Sequence, residues 1–186
     1  MTPEPAPEPA PESTPALDAP EPVLRSTLTA CLAVPRWVES VLARRPYDSL
    51  DALSAAAYAA ASPLTGAEID QAMAHHPRIG ERPQGDGLAS QLSRNEQRSS
   101  ASDDDDLAAQ LAAGNQAYEE KFERVFLIRA AGRSRPEILA ELHRRLALEP
   151  APEQTIVGEE LRDIALIRLR QLFAESPSRR EPKESS

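Results

Sequence analysis

Apolar residues recur at helical spacing along most of this chain, and the runs they form are separated by residues that start and stop helices. Residues 23–34 make the first run, closed before Pro35, and residues 37–44 a short second one, ended by Arg45-Pro46. Ser49 opens a third that reaches about Ala61. Thr65-Gly66-Ala67-Glu68 is a capping-box pattern, opening a helix to about His75. Residues 76–88 carry three glycines and two prolines and read as loop, and residues 89–100 as helix. Ser102 followed by Asp103 to Asp106 has the form of an N-cap and an acidic first turn, favourable against the helix dipole. The helix it starts is predicted to run towards Ala131 and end at Gly132. Ser134-Arg135-Pro136-Glu137 is a second capping box, with the proline in the first turn, where its missing N–H costs little. That helix reaches about Leu148, and Pro150 and Pro152 set apart a last one over residues 153–174. Strand signals are scarce, with few β-branched runs and no Asn-Gly or Asp-Gly turn set between alternating apolar runs. The pattern predicts an all-α fold, a single compact domain of seven or eight helices.

Composition removes the ends from that domain. Residues 1–22 alternate Pro, Glu and Ala, with eight prolines, five acidic residues and no basic residue. Such a segment has too little apolar surface to offset ordering entropy and reads as a disordered tail. It has neither the basic start nor the apolar stretch of a signal peptide. Residues 175–186 are polar and read as a flexible tail, leaving a folded unit over residues 23–174. The formal net charge of -9 argues against nucleic acid or an anionic membrane as partner, and no apolar run approaches a membrane span. A single cysteine, Cys31, excludes an internal disulfide, and three histidines without ligand spacing argue against a metal site. A cytoplasmic protein is the expectation.

The candidate chemistry lies in two neighbouring motifs. His76-Pro77-Arg78-Ile79-Gly80 places a histidine before a proline, which disfavours helical backbone and leaves the imidazole at an element edge, able to face a ligand. Ser93-Arg94-Asn95-Glu96-Gln97 then supplies a hydroxyl, a carboxylate and an amide. A lone histidine more often serves structure than catalysis, and Ser93-x-x-Glu96 is itself a capping box, so both alternatives stand. Arg168 falls amid Val157, Leu161, Ile164 and Leu172 on one face of the last helix. A guanidinium there must meet an anion or a carbonyl, in a structural ion pair or as a clamp on a ligand. Tyr118, Phe122, Val125 and Phe126 follow helical spacing and read as core, and the aspartate run as a solvated helix start.

Taken together, His-Pro-Arg-Ile-Gly, Ser-x-x-Glu-Gln, the Tyr118-Glu-x-x-Phe122 stretch through Phe126-x-Ile128 to Gly132-Arg133-Ser134, and Arg168-Leu169 in the last helix resemble the OHCU decarboxylases. That family converts 2-oxo-4-hydroxy-4-carboxy-5-ureidoimidazoline to S-allantoin and CO2 in urate breakdown. The resemblance spans about Leu28 to Leu172 and includes Ala30-Cys31 and Arg36-Trp37. It implies an all-helical fold, no cofactor, a small ureidoimidazoline carboxylate as substrate, a homodimer and a functional link to hydroxyisourate hydrolase. By the same resemblance His76 is the catalytic proton donor with Glu96 beside it. Pro77, Ser93, Gln97 and Arg168 then contact substrate, and the backbone of Arg124, Val125, Phe126, Leu127 and Ile128 holds the ring and ureido group.

Three positions depart from the family pattern. Glu123 stands where a glycine is usual, Arg129 where a cysteine is common, and Leu92 where tryptophan often precedes the Ser-x-x-Glu-Gln motif. If that glycine turns the backbone towards substrate, Glu123 puts the contacts from Arg124 to Ile128 in question. A second reading of the chain is therefore a weak or inactive paralogue, a helical ligand-binding or interaction module that keeps the fold without the turnover.

Overall fold

A computed structural model describes residues 17–74, 76, 88, 91, 92 and 105–174. Among these residues there are seven helices and no strand: α1 (Glu21–Cys31), α2 (Pro35–Leu42), α3 (Leu50–Ala60), α4 (Gly66–Met73), α5 (Asp105–Phe122), α6 (Arg135–Leu146) and α7 (Pro150–Ala174). Three helices begin where their capping residues predict. Ser49 Oγ accepts from the Ala52 N–H at 3.1 Å. Thr65 Oγ1 accepts from the Glu68 N–H at 3.4 Å while Glu68 Oε2 accepts from the Thr65 N–H at 2.8 Å. Glu137 Oε2 likewise accepts from the Ser134 N–H at 2.7 Å. Each pairing occupies N–H groups that a helix start leaves without intrahelical partners.

The boundaries elsewhere differ from the pattern in instructive ways. α7 starts at Pro150 instead of after Pro152, because first-turn prolines lack only N–H groups that have no intrahelical partner anyway. Leu17 and Ala19 pack against the core, and the Ala19 carbonyl accepts from Arg45 Nη2 at 3.1 Å, so packed chain begins before Pro22. Of the helix expected over residues 89–100, Leu92 is helical and the greater part lies outside the described residues.

The largest correction concerns α5, which stops at Phe122 and not near Ala131. Glu123 takes a left-handed conformation, φ 55°, and ends the helix as a glycine would. Residues 125–130 then run without helix or strand hydrogen bonding. Their side chains alternate: Val125 and Leu127 pack on one core, Phe126, Ile128 and Ala130 on the other. That two-residue period is the signature of extended chain. Gly132, at φ 79°, turns the chain into α6.

The first core joins α1 to α4 with the face of α7 that carries Val157, Leu161, Ile164, Ala165, Leu169 and Phe173. Trp37 is fully buried in it, and its Nε1–H donates to the Ala57 carbonyl at 2.9 Å. Arg36 ties α2 to α4 through a forked ion pair with Glu68 and to α3 through the Ala60 carbonyl at 3.0 Å. The Arg36 hydrogen bond holds the Glu68 carboxyl at about 2, so this tie stays charged at any ordinary pH. The second core is the α5–α6 hairpin, where a Cβ on Gly114 would come within 2.5 Å of Leu142 Cδ2, so any other residue there would force the Leu142 side chain to shift.

Glu123→Gly should stabilise the protein. A side chain in the left-handed region costs roughly 1–2 kcal/mol, and the added freedom of glycine in the unfolded chain returns part of that. The expected net gain of about 0.5–1 kcal/mol corresponds to a melting temperature raised by roughly 1–4 °C in a chain of this size. Thermal unfolding followed by far-ultraviolet dichroism measures it, and a fall in melting temperature would contradict the assigned conformation.

Candidate functional site

His76 lies one turn past the end of α4, half-buried, with its backbone N–H on the Met73 carbonyl at 3.0 Å. Its Nδ1 is 2.9 Å from the Ala72 carbonyl oxygen. A carbonyl only accepts, so Nδ1 carries the proton of that bond and Nε2 is left as the nitrogen that exchanges a proton. Nε2 is shielded from water. The helix end thus fixes both the ring orientation and the tautomer of this histidine. Pro77, Ser93, Glu96 and Gln97 lie outside the described residues.

The segment after α5 is built by four side chains that its own sequence does not contain. Arg145 of α6 and Glu153 of α7 are fully buried, as is Tyr118 of α5. Arg145 Nε donates to both Glu153 oxygens, at 2.9 and 3.1 Å, and Nη2 adds a short bond to the same carboxylate. Tyr118 donates its hydroxyl to Glu153 and accepts from Arg145 Nη2 at 3.4 Å. Arg145 Nη1 reaches past this pair to the Leu127 carbonyl at 2.7 Å. The guanidinium also lies 4.8 Å from the centre of the Phe126 ring, close enough for cation–π attraction. Burial opposes charge on Arg145, but the Glu153 hydrogen bonds and charge outweigh it and hold the guanidinium pKa above its usual value. Burial, and then the bond to Glu153, pushes the Tyr118 hydroxyl pKa upward, so it stays a neutral donor.

The fourth side chain is Glu160, about two turns beyond Glu153 along α7. Its Oε2 accepts from the Arg129 backbone N–H at 2.7 Å, and Oε1 lies 3.5 Å from Arg133 Nη1. At the front of the segment, Arg124 Nη2 lies 3.5 Å from Asp70 on α4, the helix that leads to His76. Arg129, in the usual place of a cysteine, has its Nε buried with no hydrogen-bond partner among the described residues. Cation-rich and partly desolvated, this stretch is suited to an anionic ligand.

Arg168 is only 3% exposed and lies between Ala165 and Leu169 on the buried stripe of α7. That stripe continues to Phe173, while Leu172, expected on it, is half-buried. The sequence reading brought forward His76, Arg168 and the segment, but missed Arg145, Glu153 and Glu160. A cleft of about 390 Å³ between the 61–64 turn, α4 and α7 is lined by Pro63, Gly66, Gln154, Glu159 and Arg162 among others, and by none of the nominated residues. Among the described residues no cluster of three His, Cys, Asp or Glu side chains could hold a metal ion, and no helix is long and apolar enough to cross a membrane.

A sequence model of the OHCU decarboxylase family matches residues 18–170. No curated protein matches the sequence at a significant level. Among solved structures, the fold is similar to a crystal structure of OHCU decarboxylase in the presence of (S)-allantoin, with a TM-score of 0.65 and 23% identity, over 81% of this chain and 99% of that one. It is also similar to a crystal structure of (S)-allantoin synthase, with a TM-score of 0.63 and 17% identity, over 84% of this chain and 52% of that longer one.

Proposed function

This chain belongs to the OHCU decarboxylase family, a family of carboxy-lyases, and we propose that it converts 2-oxo-4-hydroxy-4-carboxy-5-ureidoimidazoline to S-allantoin and CO2 with His76 as the proton donor. In that reaction the bond from the ring carbon to the carboxylate breaks and CO2 leaves. The electron pair forms a C=C bond to the carbon that bears the ureido group, and the pair of the adjacent ring C=N bond moves onto its nitrogen, which takes a proton. The carbon that bears the ureido group then takes a proton, and the ring hydroxyl gives one up to become a carbonyl. The substrate carries its own electron sink, so the proposal calls for no cofactor. Stereochemistry is decided at the protonation, which must come from one face.

The observation that carries the proposal is the family match together with the bond of His76 Nδ1–H to the Ala72 carbonyl, which orients the ring; the donor is the protonated imidazole, with its second proton on Nε2. Glu96 is assigned the substrate hydroxyl or the imidazole. Arg168 is assigned a carbonyl or carboxylate, for which its fork is suited. Pro77, Ser93 and Gln97 complete the wall, with peptide groups of residues 124–128 reading the flat ring.

Circular dichroism during urate oxidation tests the reaction. Urate, urate oxidase and hydroxyisourate hydrolase generate the unstable substrate in place, and the protein is then added. A fast rise of the S-allantoin signal is expected. The slow racemic background alone would defeat the proposal and leave the binding-module reading, to which the replacement of cysteine by Arg129 would then point.

A further inference from the structure

Residues 126–128 lie buried between the two cores, where backbone polar groups need partners. Among the described residues, the Leu127 carbonyl and the Arg129 N–H have them, on Arg145 and Glu160. In extended chain the N–H and C=O of one residue point to the same edge, and those of the next residue to the opposite edge. Leu127 and Arg129 therefore share the edge that faces α6 and α7. Phe126 and Ile128 turn theirs the other way, and no protein group among the described residues takes them.

We infer that Arg145, held by Glu153, is a positioning residue that decides which peptide edge of residues 125–129 is presented to the ligand. By occupying the Leu127 carbonyl it turns that edge inward and leaves the Phe126 carbonyl beside the Ile128 N–H on the other. An acceptor next to a donor complements the adjacent N–H and C=O of a cyclic urea or lactam. The stacking of the guanidinium on Phe126 fixes the same choice independently, through the side chain. A rotation by one residue would exchange the two edges and point the wrong groups outward. The identity of the ligand rests on the decarboxylase reading; the choice of edge does not.

The test removes the clamp without leaving a buried charge. Arg145→Met combined with Glu153→Met and Tyr118→Phe replaces the polar cluster by apolar groups, a change that buried ion pairs often tolerate. In the dichroism assay the folded triple variant should show KM raised at least tenfold, with kcat changed less. A folded variant with the KM of the unaltered protein would overturn the inference. A second measurement needs no variant: amide hydrogen exchange in the full chain, with (S)-allantoin as the probe. The Ile128 amide should slow at least tenfold on addition of allantoin, while the Arg129 amide is already slow and stays so. No slowing at Ile128, or slowing at Arg129 in its place, overturns the inference. Slowing at Ile128 in a protein that fails the turnover assay would instead defeat the decarboxylase reading and leave this one standing.

Discussion

His76→Asn should lower the rate of S-allantoin formation by about a thousandfold, within the range that general acid catalysis contributes. Asparagine can still donate a hydrogen bond to the Ala72 carbonyl, but it has no proton to deliver to carbon. The loss should fall on kcat, and the residual product should lose its handedness, because spontaneous protonation does not distinguish the two faces. Stability should change by less than about 1 kcal/mol, the worth of one local hydrogen bond at a half-buried position. Two results would defeat this. A variant that keeps a tenth of the turnover would show that the proton comes from elsewhere, and one destabilised by several kcal/mol would show the histidine to be structural.

Arg145→Ala and Glu153→Ala should each cost roughly 3–5 kcal/mol, because either leaves a buried charge without its partner. A domain of ordinary stability has about 5–15 kcal/mol in total, so the loss is large enough to move a urea midpoint far down. The exposed triad of Arg25 with Glu21 and Glu39 provides the contrast. Solvent screens those charges, and Arg25→Ala should leave the unfolding curve where it was. Equilibrium urea unfolding of the three variants measures both expectations. If Arg145→Ala and Arg25→Ala behaved alike, the buried cluster would not be the keystone of the second core.

The contrast between these two arginines also shows what the sequence could reveal. Helix starts were legible wherever a side chain announces them, as at Ser49, at Thr65 with Glu68, and at Ser134 with Glu137. The end of α5 was not, because Val125 to Ile128 continue an apolar run whose helical and extended readings coincide over so few residues. The usual punctuation, a glycine, is absent, and Glu123 does its work with a side chain. His76 was legible because a proline follows it, and Arg168 because it interrupts an apolar stripe. The same test would have found Arg145, spaced after Ile138 and Leu142, and Glu153, one turn before Val157. Arg145 was hidden by its charged neighbour Arg144, and Glu153 by Pro150 and Pro152, which read as a break before the last helix.

Because residues 125–130 form a wall common to both cores, neither core can open without undoing them. The α5–α6 hairpin and the body built on α7 each have a core of their own, so the weaker of the two opens first, with its own free energy, and takes the shared wall with it. A ligand held by this wall would be lost when the weaker unit opens, long before the whole chain melts. By linkage, that ligand would stabilise the weaker unit selectively, by RT ln(1 + [L]/Kd). The temperature at which function fades would then be set by that weaker unit, and substrate itself would raise it.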